Sequence, residues 1–177
     1  MKKIFLVWML AMIIVPSIVF GQTWKPAEYE VSFKIKNAGL TVTGRFTGLK
    51  ANLVFNPSDL AKSSLSASVD VTTIKTGIDK RDKDLQEEQY FDSDKYKVID
   101  MKSTKLYAKD GKYSGIFNIT IKGVTKQVEF PFEFTKNGND GEFKGRFELN
   151  RRDFGVGGSS MMMSDKLTVS IMIKAKA

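Results

Sequence analysis

The sequence predicts an all-β fold, an antiparallel eight-stranded barrel with one short helix near a barrel end. From Tyr29 to the C-terminus, apolar and polar residues alternate with a period of two, which marks strands that bury one face. Short clusters of turn-forming residues separate the runs, so neighbouring strands join as hairpins and the sheet meanders. About eight such strands would leave long exposed edges unless the sheet closed on itself.

The first run sets Tyr29, Val31, Phe33 and Ile35 against Glu30, Ser32, Lys34 and Lys36. After Asn37-Ala38-Gly39, Val42, Gly44 and Phe46 alternate with polar partners, and Leu53 and Phe55 share one face of a third strand. Leu65, Ala67, Val69 and Val71 follow the Asn56-Pro57-Ser58-Asp59 turn. The pattern then breaks. Between Ile78 and Tyr90, Ile78 and Leu85 stand a helical repeat apart with charges between them. A short helix is expected there, with Asp79 placed to cap it. Strands resume at Ile99, Met101 and Ser103, and continue through Phe117-Ile119-Ile121, Val128-Phe130-Phe132-Phe134, Phe143-Phe147-Leu149 and Leu167-Val169-Ile171-Ile173. Pro131 cannot donate to a ladder, so its strand should have an edge, an opening or a bulge at that point. A Gly- and Met-rich connection, Asn150 to Lys166, precedes the last strand.

The ends bear on location. Lys2 and Lys3 precede an apolar run from Ile4 to Phe20, and Val19-Phe20-Gly21 offers a cleavage site. This is the grammar of a secretory signal peptide over residues 1–21, leaving a single domain over 22–177 and a periplasmic or secreted protein. The chain has 177 residues, no Cys and no His. A disulfide framework is therefore excluded, as are a Ser-His-Asp triad, a Cys nucleophile and the usual zinc and haem sites. The acidic residues are interleaved with lysine, as in Asp79-Lys80-Arg81-Asp82-Lys83-Asp84, which reads as solvated surface and not as a carboxylate pair tuned for catalysis. Neither an enzyme nor a cofactor is expected. The +8 formal charge comes from dispersed lysines, without a basic block or recognition helix, so nucleic acid is not an expected partner. An outer-membrane barrel would show the same alternation, but several runs are shorter than the ~9–11 residues a spanning strand needs and lack aromatic girdles.

Six segments stand out in order along the chain: Trp24 with Val31-Ser32-Phe33, Val42-Thr43-Gly44-Arg45-Phe46, Ile74-Lys75-Thr76-Gly77 with Arg81-Asp82-Lys83-Asp84-Leu85, Tyr90-Phe91-Asp92, Ile119 to Lys126, and Arg152-Asp153-Phe154-Gly155. Together they resemble the YceI-like family of exported lipid-binding proteins. The resemblance spans nearly the whole chain after residue 21. It implies a lipocalin-like barrel that holds a polyprenyl phosphate, an isoprenoid quinone or a similar amphiphile. Two positions depart from the family pattern. Asp84 stands where the family often has His, and Lys97 where Pro commonly follows the Tyr, so any head-group role of that His loses its support.

An eight-stranded barrel is just wide enough either to be filled by side chains or to hold one small ligand. If it is hollow, Phe33, Phe46, Phe117, Ile119, Phe130, Phe132 and Phe147 are the expected contacts for an apolar tail. The small residues Gly44, Ala67 and Gly145 on the inward faces would leave a groove, or would merely relieve crowding. If it is filled, the alternative is an interaction module that binds a protein partner through its loops. A transient contact with a membrane surface and a homodimer both stay open.

Overall fold

The computed structural model describes residues 22–177, so the expected signal peptide over 1–21 lies outside the described residues. Ten strand segments form one antiparallel sheet: β1 (Thr23–Asn37), β2 (Leu40–Phe46), β3 (Leu49–Val54), β4 (Ser64–Asp70), β5 (Ile74–Lys75), β6 (Val98–Lys109), β7 (Lys112–Ile121), β8 (Val124–Asn137), β9 (Asp140–Asn150) and β10 (Met163–Lys176). The sheet closes where β1 pairs with β10, from Lys25↔Lys176 to Asn37↔Met163. The upper half of β1 pairs with β2 and its lower end with β3. Likewise β4 pairs with β3, and β5 with β2. β2 and β3 are thus one stave broken at Thr47–Gly48, and β4 and β5 are another. The result is a closed eight-stranded, up-and-down, lipocalin-like barrel.

Tight hairpins do most of the joining. Ala38-Gly39, Asp110-Gly111 and Lys122-Gly123 each place two consecutive residues at positive φ, the primed turn whose twist matches the flanking strands. In β6 the alternation Ile99, Met101, Ser103 would next point Lys105 inward. A register shift between Ser103 and Lys105 brings Leu106 into the core instead.

The lower end of the barrel is filled. Trp24, 1% exposed, donates its indole N–H to the Phe55 carbonyl at 3.1 Å and meets Phe134 and Phe143 edge-on. Phe55 in turn packs against Tyr113, Phe132, Phe134 and Phe143. Gly141 makes the plug fit, because a Cβ there would sit 2.6 Å from the Trp24 ring.

The upper half is split twice. β8 and β9 pair only from Phe132↔Gly145 down to their turn, so the ladder stops at Pro131, which has no N–H to continue it. The opening expected at Pro131 is there. The second split lies between β5 and β6, where β4 alone carries the pairing to β6. Residues 76–97 pack over this split and contain α1 (Asp79–Asp84), the short helix at a barrel end. The helix is shorter than the charge pattern suggests, since beyond Leu85 the chain turns through hydrogen bonds such as Tyr90 N–H to Glu87 O and Tyr96 N–H to Asp92 O. Nor is Asp79 its cap. Ile78 holds the N-cap position without a side-chain bond, and Asp82 reaches back to Thr76 instead.

Candidate functional site

Where the staves part, the barrel widens and a cavity opens above the aromatic plug. Its volume is ≈ 180 Å³. This is a little larger than an apolar cavity of about 150 Å³ that takes one benzene ring. The cavity is open at its mouth, so a ligand matched to it is a narrow chain that need not fit inside whole. Branched aliphatics, among them Val31, Val69, Ile99, Val169 and Ile171, make up half of the lining. Leu85 and Phe91 reach in from the 76–97 segment, and Phe154 and Val156 from the turn after β9.

Of the seven residues expected to meet a tail, Phe33, Phe46, Ile119 and Phe147 line this cavity. Phe117, Phe130 and Phe132 do not. Phe117 stacks on Phe130 at 4.5 Å, Phe130 on Phe147 at 4.1 Å across the β8–β9 split, and Phe132 joins the plug through Phe55 and Tyr113. These three build the floor on which the cavity rests. The inward small residues divide in the same way. A Cβ at Gly44 would lie 2.2 Å from the Phe33 ring, and one at Gly145 would lie 3.2 Å from Phe130, so both glycines accommodate rings from neighbouring strands. Ala67 faces the cavity and is the one that leaves space.

Two arginines stand at the upper end. Arg151, 4% exposed, is fully committed. It donates to the carbonyls of Val156, Gly158, Met163 and Ser164 and pairs with Asp165 at 2.9 Å, so it ties the loop after β9 to the start of β10. Arg81 differs. It donates Nε to the Thr76 hydroxyl at 2.7 Å and Nη2 to the Thr76 carbonyl at 2.8 Å, and both residues line the cavity. A guanidinium carries five N–H donors, so some remain over at the rim. From the sequence, Arg81 with Asp82 reads first as a charge-assisted anchor for the helix and second as a direct head-group contact. The signal that could have found it was an Arg whose acidic neighbour is engaged elsewhere.

That neighbour is Asp82, 4% exposed. Burial pushes its carboxyl up. Hydrogen bonds from the Thr76 hydroxyl and amide outweigh burial, with help from Lys75 and Arg81, and hold it below the ordinary 3.8. Oδ1 takes both Thr76 bonds, at 2.6 and 2.8 Å, while buried Oδ2 has only Lys75 Nζ, at 3.9 Å. Because the folded-state value is depressed, the stabilisation is complete above about pH 4, the unfolded-state value, and is lost as pH falls further through the folded one. Asp82→Asn should therefore cost about 2 kcal/mol at pH 7, the scale of a charged hydrogen bond. The deficit should shrink below pH 4, and urea unfolding of both proteins at the two pH values checks this.

Among the described residues, no carboxylate lines the cavity, and no group of three or more His, Cys, Asp or Glu is placed to hold a metal. The lining is apolar apart from Ser32, Asn37, Ser68, Thr76 and the two arginines. Plugged below, hollow above and walled by aliphatics, the molecule has the anatomy of a lipocalin-like barrel. The YceI-like domain model matches residues 23–175, and the chain belongs to that family. A UPF0312 protein of Vibrio parahaemolyticus is 32% identical over 155 residues, covering 82% of each chain. Burkholderia cenocepacia BcnA superposes with a TM-score of 0.80 at 24% identity, covering 84% of this chain and 96% of its own. A polyisoprenoid binding domain from Saccharophagus degradans, implicated in plant cell wall breakdown, shares the fold with a TM-score of 0.68 at 12% identity. It covers 88% of this chain and 97% of its own.

Proposed function

We propose that this protein binds and carries a long apolar lipid of the isoprenoid kind, a polyprenyl phosphate, an isoprenoid quinone or a similar amphiphile, by burial and without reaction. The observation that carries this reading is the aliphatic cavity closed below by rings and open above beside Arg81. Each CH₂ taken from water into such a lining contributes about 0.8 kcal/mol, so a chain of modest length gains useful affinity without specific contacts. The polyisoprenoid-binding relative of the same fold supports this choice of cargo. The signal-like segment over 1–21 supports a working place outside the cytoplasm, where the domain over 22–177 would meet lipid.

The remaining donors of Arg81 suit a phosphate or a quinone oxygen at the mouth, and a phosphate gains more from a charged donor than a neutral carbonyl does. Native mass spectrometry of protein purified from its own cells, followed by organic extraction, should show a co-purifying isoprenoid of defined mass. Arg81→Gln should lower retention of a polyprenyl phosphate about tenfold and change retention of a quinone less. A protein free of bound lipid, which also takes up neither class when both are supplied, would overturn the reading. It would leave a filled barrel that binds a protein through its loops.

A further inference from the structure

Among the described residues, all the large apolar side chains that stand well exposed, except Tyr29, sit at the cavity end of the barrel. Leu40, Met161 and Met162 are the most exposed of them, at 73%, 106% and 65%. They form a single corner, because the Ala38 amide at the tip of the β1–β2 hairpin donates to the Met162 carbonyl at 2.8 Å. The methionine loop is held in shape as well. Ser160 Oγ accepts from the amides of Met162 and Met163, at 3.2 and 3.1 Å. The two apolar tips are thus presented to solvent by a backbone with defined hydrogen bonds. A loop that needed methionine only for packing would turn these side chains inward.

The charge around this corner has one sign. Lys34 and Lys36 lie on the outer face of β1, alternating with the cavity-lining Phe33 and Ile35, and Lys166 lies outward beside Leu167 on β10. None of the three has an ion-pair partner among the described residues, and the adjacent acid, Asp165, is bound by Arg151 and Arg152. On the opposite side of the mouth the charges are mixed, with Lys80 paired to Asp84 at 3.2 Å. The corner adjoins the cavity directly, since Asn37, Val42 and Met163, each within three residues of an exposed tip, line it.

We infer that Leu40, Met161 and Met162 form a wedge that enters the surface of an anionic bilayer, with Lys34, Lys36 and Lys166 settling on its head groups. In that pose the cavity mouth faces the acyl region, and a chain can pass between membrane and barrel without crossing water. Apolar tips flanked by lysines are the combination that favours reversible surface binding, and an anionic surface attracts each nearby lysine within about a Debye length. This inference rests on the carrier reading for its purpose, but not for its geometry.

Co-sedimentation of the mature protein with phosphatidylcholine vesicles, with and without phosphatidylglycerol, tests it. Binding should require the anionic lipid and weaken with added salt. Met161→Ser with Met162→Ser should reduce it at least tenfold, and Lys36→Glu or Lys166→Glu about fivefold each. Tyr29→Ser, exposed on the barrel wall away from this corner, should leave it unchanged. Circular dichroism, and uptake of lipid supplied in detergent rather than from a membrane, should be unaltered in every variant, because none of these side chains lines the cavity. Equal binding by the methionine variant, or equal binding to neutral vesicles, would overturn the wedge. A dimer that disappears in the methionine variant would also overturn it, by assigning the corner to a second copy. A protein that carries lipid but does not bind vesicles defeats the wedge alone; one that binds vesicles but never carries lipid defeats the carrier reading alone.

Discussion

Ala67→Phe should empty the barrel of lipid while leaving it folded. Ala67 lies between Ala51 and Met101 across the sheet and faces the cavity. A ring placed there takes up space that a chain would otherwise occupy. Excluding two CH₂ groups already forfeits about 1.6 kcal/mol, more than a factor of ten in affinity, and a ring excludes more than that. Overpacking a tight core costs about 1–3 kcal/mol, but here the new side chain enters existing space and the cost should fall at the lower end. The variant should therefore melt close to the parent temperature and show at least a tenfold lower lipid content by native mass spectrometry. An unchanged lipid load at an unchanged melting temperature would mean that the chain lies somewhere else. A large loss of stability would mean that the wall behind Ala67 is tighter than its lining suggests.

The barrel could be read from the sequence because a period of two survives even where single residues blur it. The strand faces from Val31 to Phe46, from Leu65 to Val71 and from Phe117 to Ile173 are in place. The division of the interior into plug and cavity was harder to read. Alternation says only that a side chain points inward, and gives no sign of how high on the barrel it points or whether its neighbours fill the space beside it. Bulk alone does not separate a ring that lines the cavity, such as Phe33, Phe46 or Phe147, from one that fills the barrel. Phe117, Phe130 and Phe132 stack with one another's neighbours to make the floor, while the hollow half is walled by Val and Ile from strands whose register places them higher. Trp24 precedes the first alternating run, beside Lys25 and Pro26, so periodicity could not mark it as the centre of the plug. The splits that make room were half visible. Pro131 announced one of them, but the β5–β6 gap depends on the 76–97 segment, whose docking no local pattern encodes.

Room at the top and rigidity at the bottom follow from one arrangement. Below Pro131 the β8–β9 ladder is continuous to its turn, and the rings pack against it from within. Above it, the two splits replace ladder bonds by side-chain contacts and by the ties of Arg81, Asp82 and Arg151. Local opening should be easiest where hydrogen bonds are fewest, which is around the mouth a chain must use.

Trp24→Ala is the change expected to cost most stability. The indole is buried in contact with Phe134 and Phe143, and it satisfies the Phe55 carbonyl. Removing a buried Trp typically costs 3–5 kcal/mol, and the unpaired carbonyl places this site at the upper end of that range. For a domain of this size each kcal/mol lowers the melting temperature by about 2–4 °C, so a fall of at least 10 °C is expected by calorimetry. No ring of the plug lines the cavity, so the variant that remains folded at low temperature should keep whatever lipid the parent carries. Loss of the lipid together with only a small fall in melting temperature would reverse the roles assigned to the two ends, making the ring cluster part of the binding site and not its floor. Loss of stability with the lipid retained is the result that follows from a barrel filled below and hollow above.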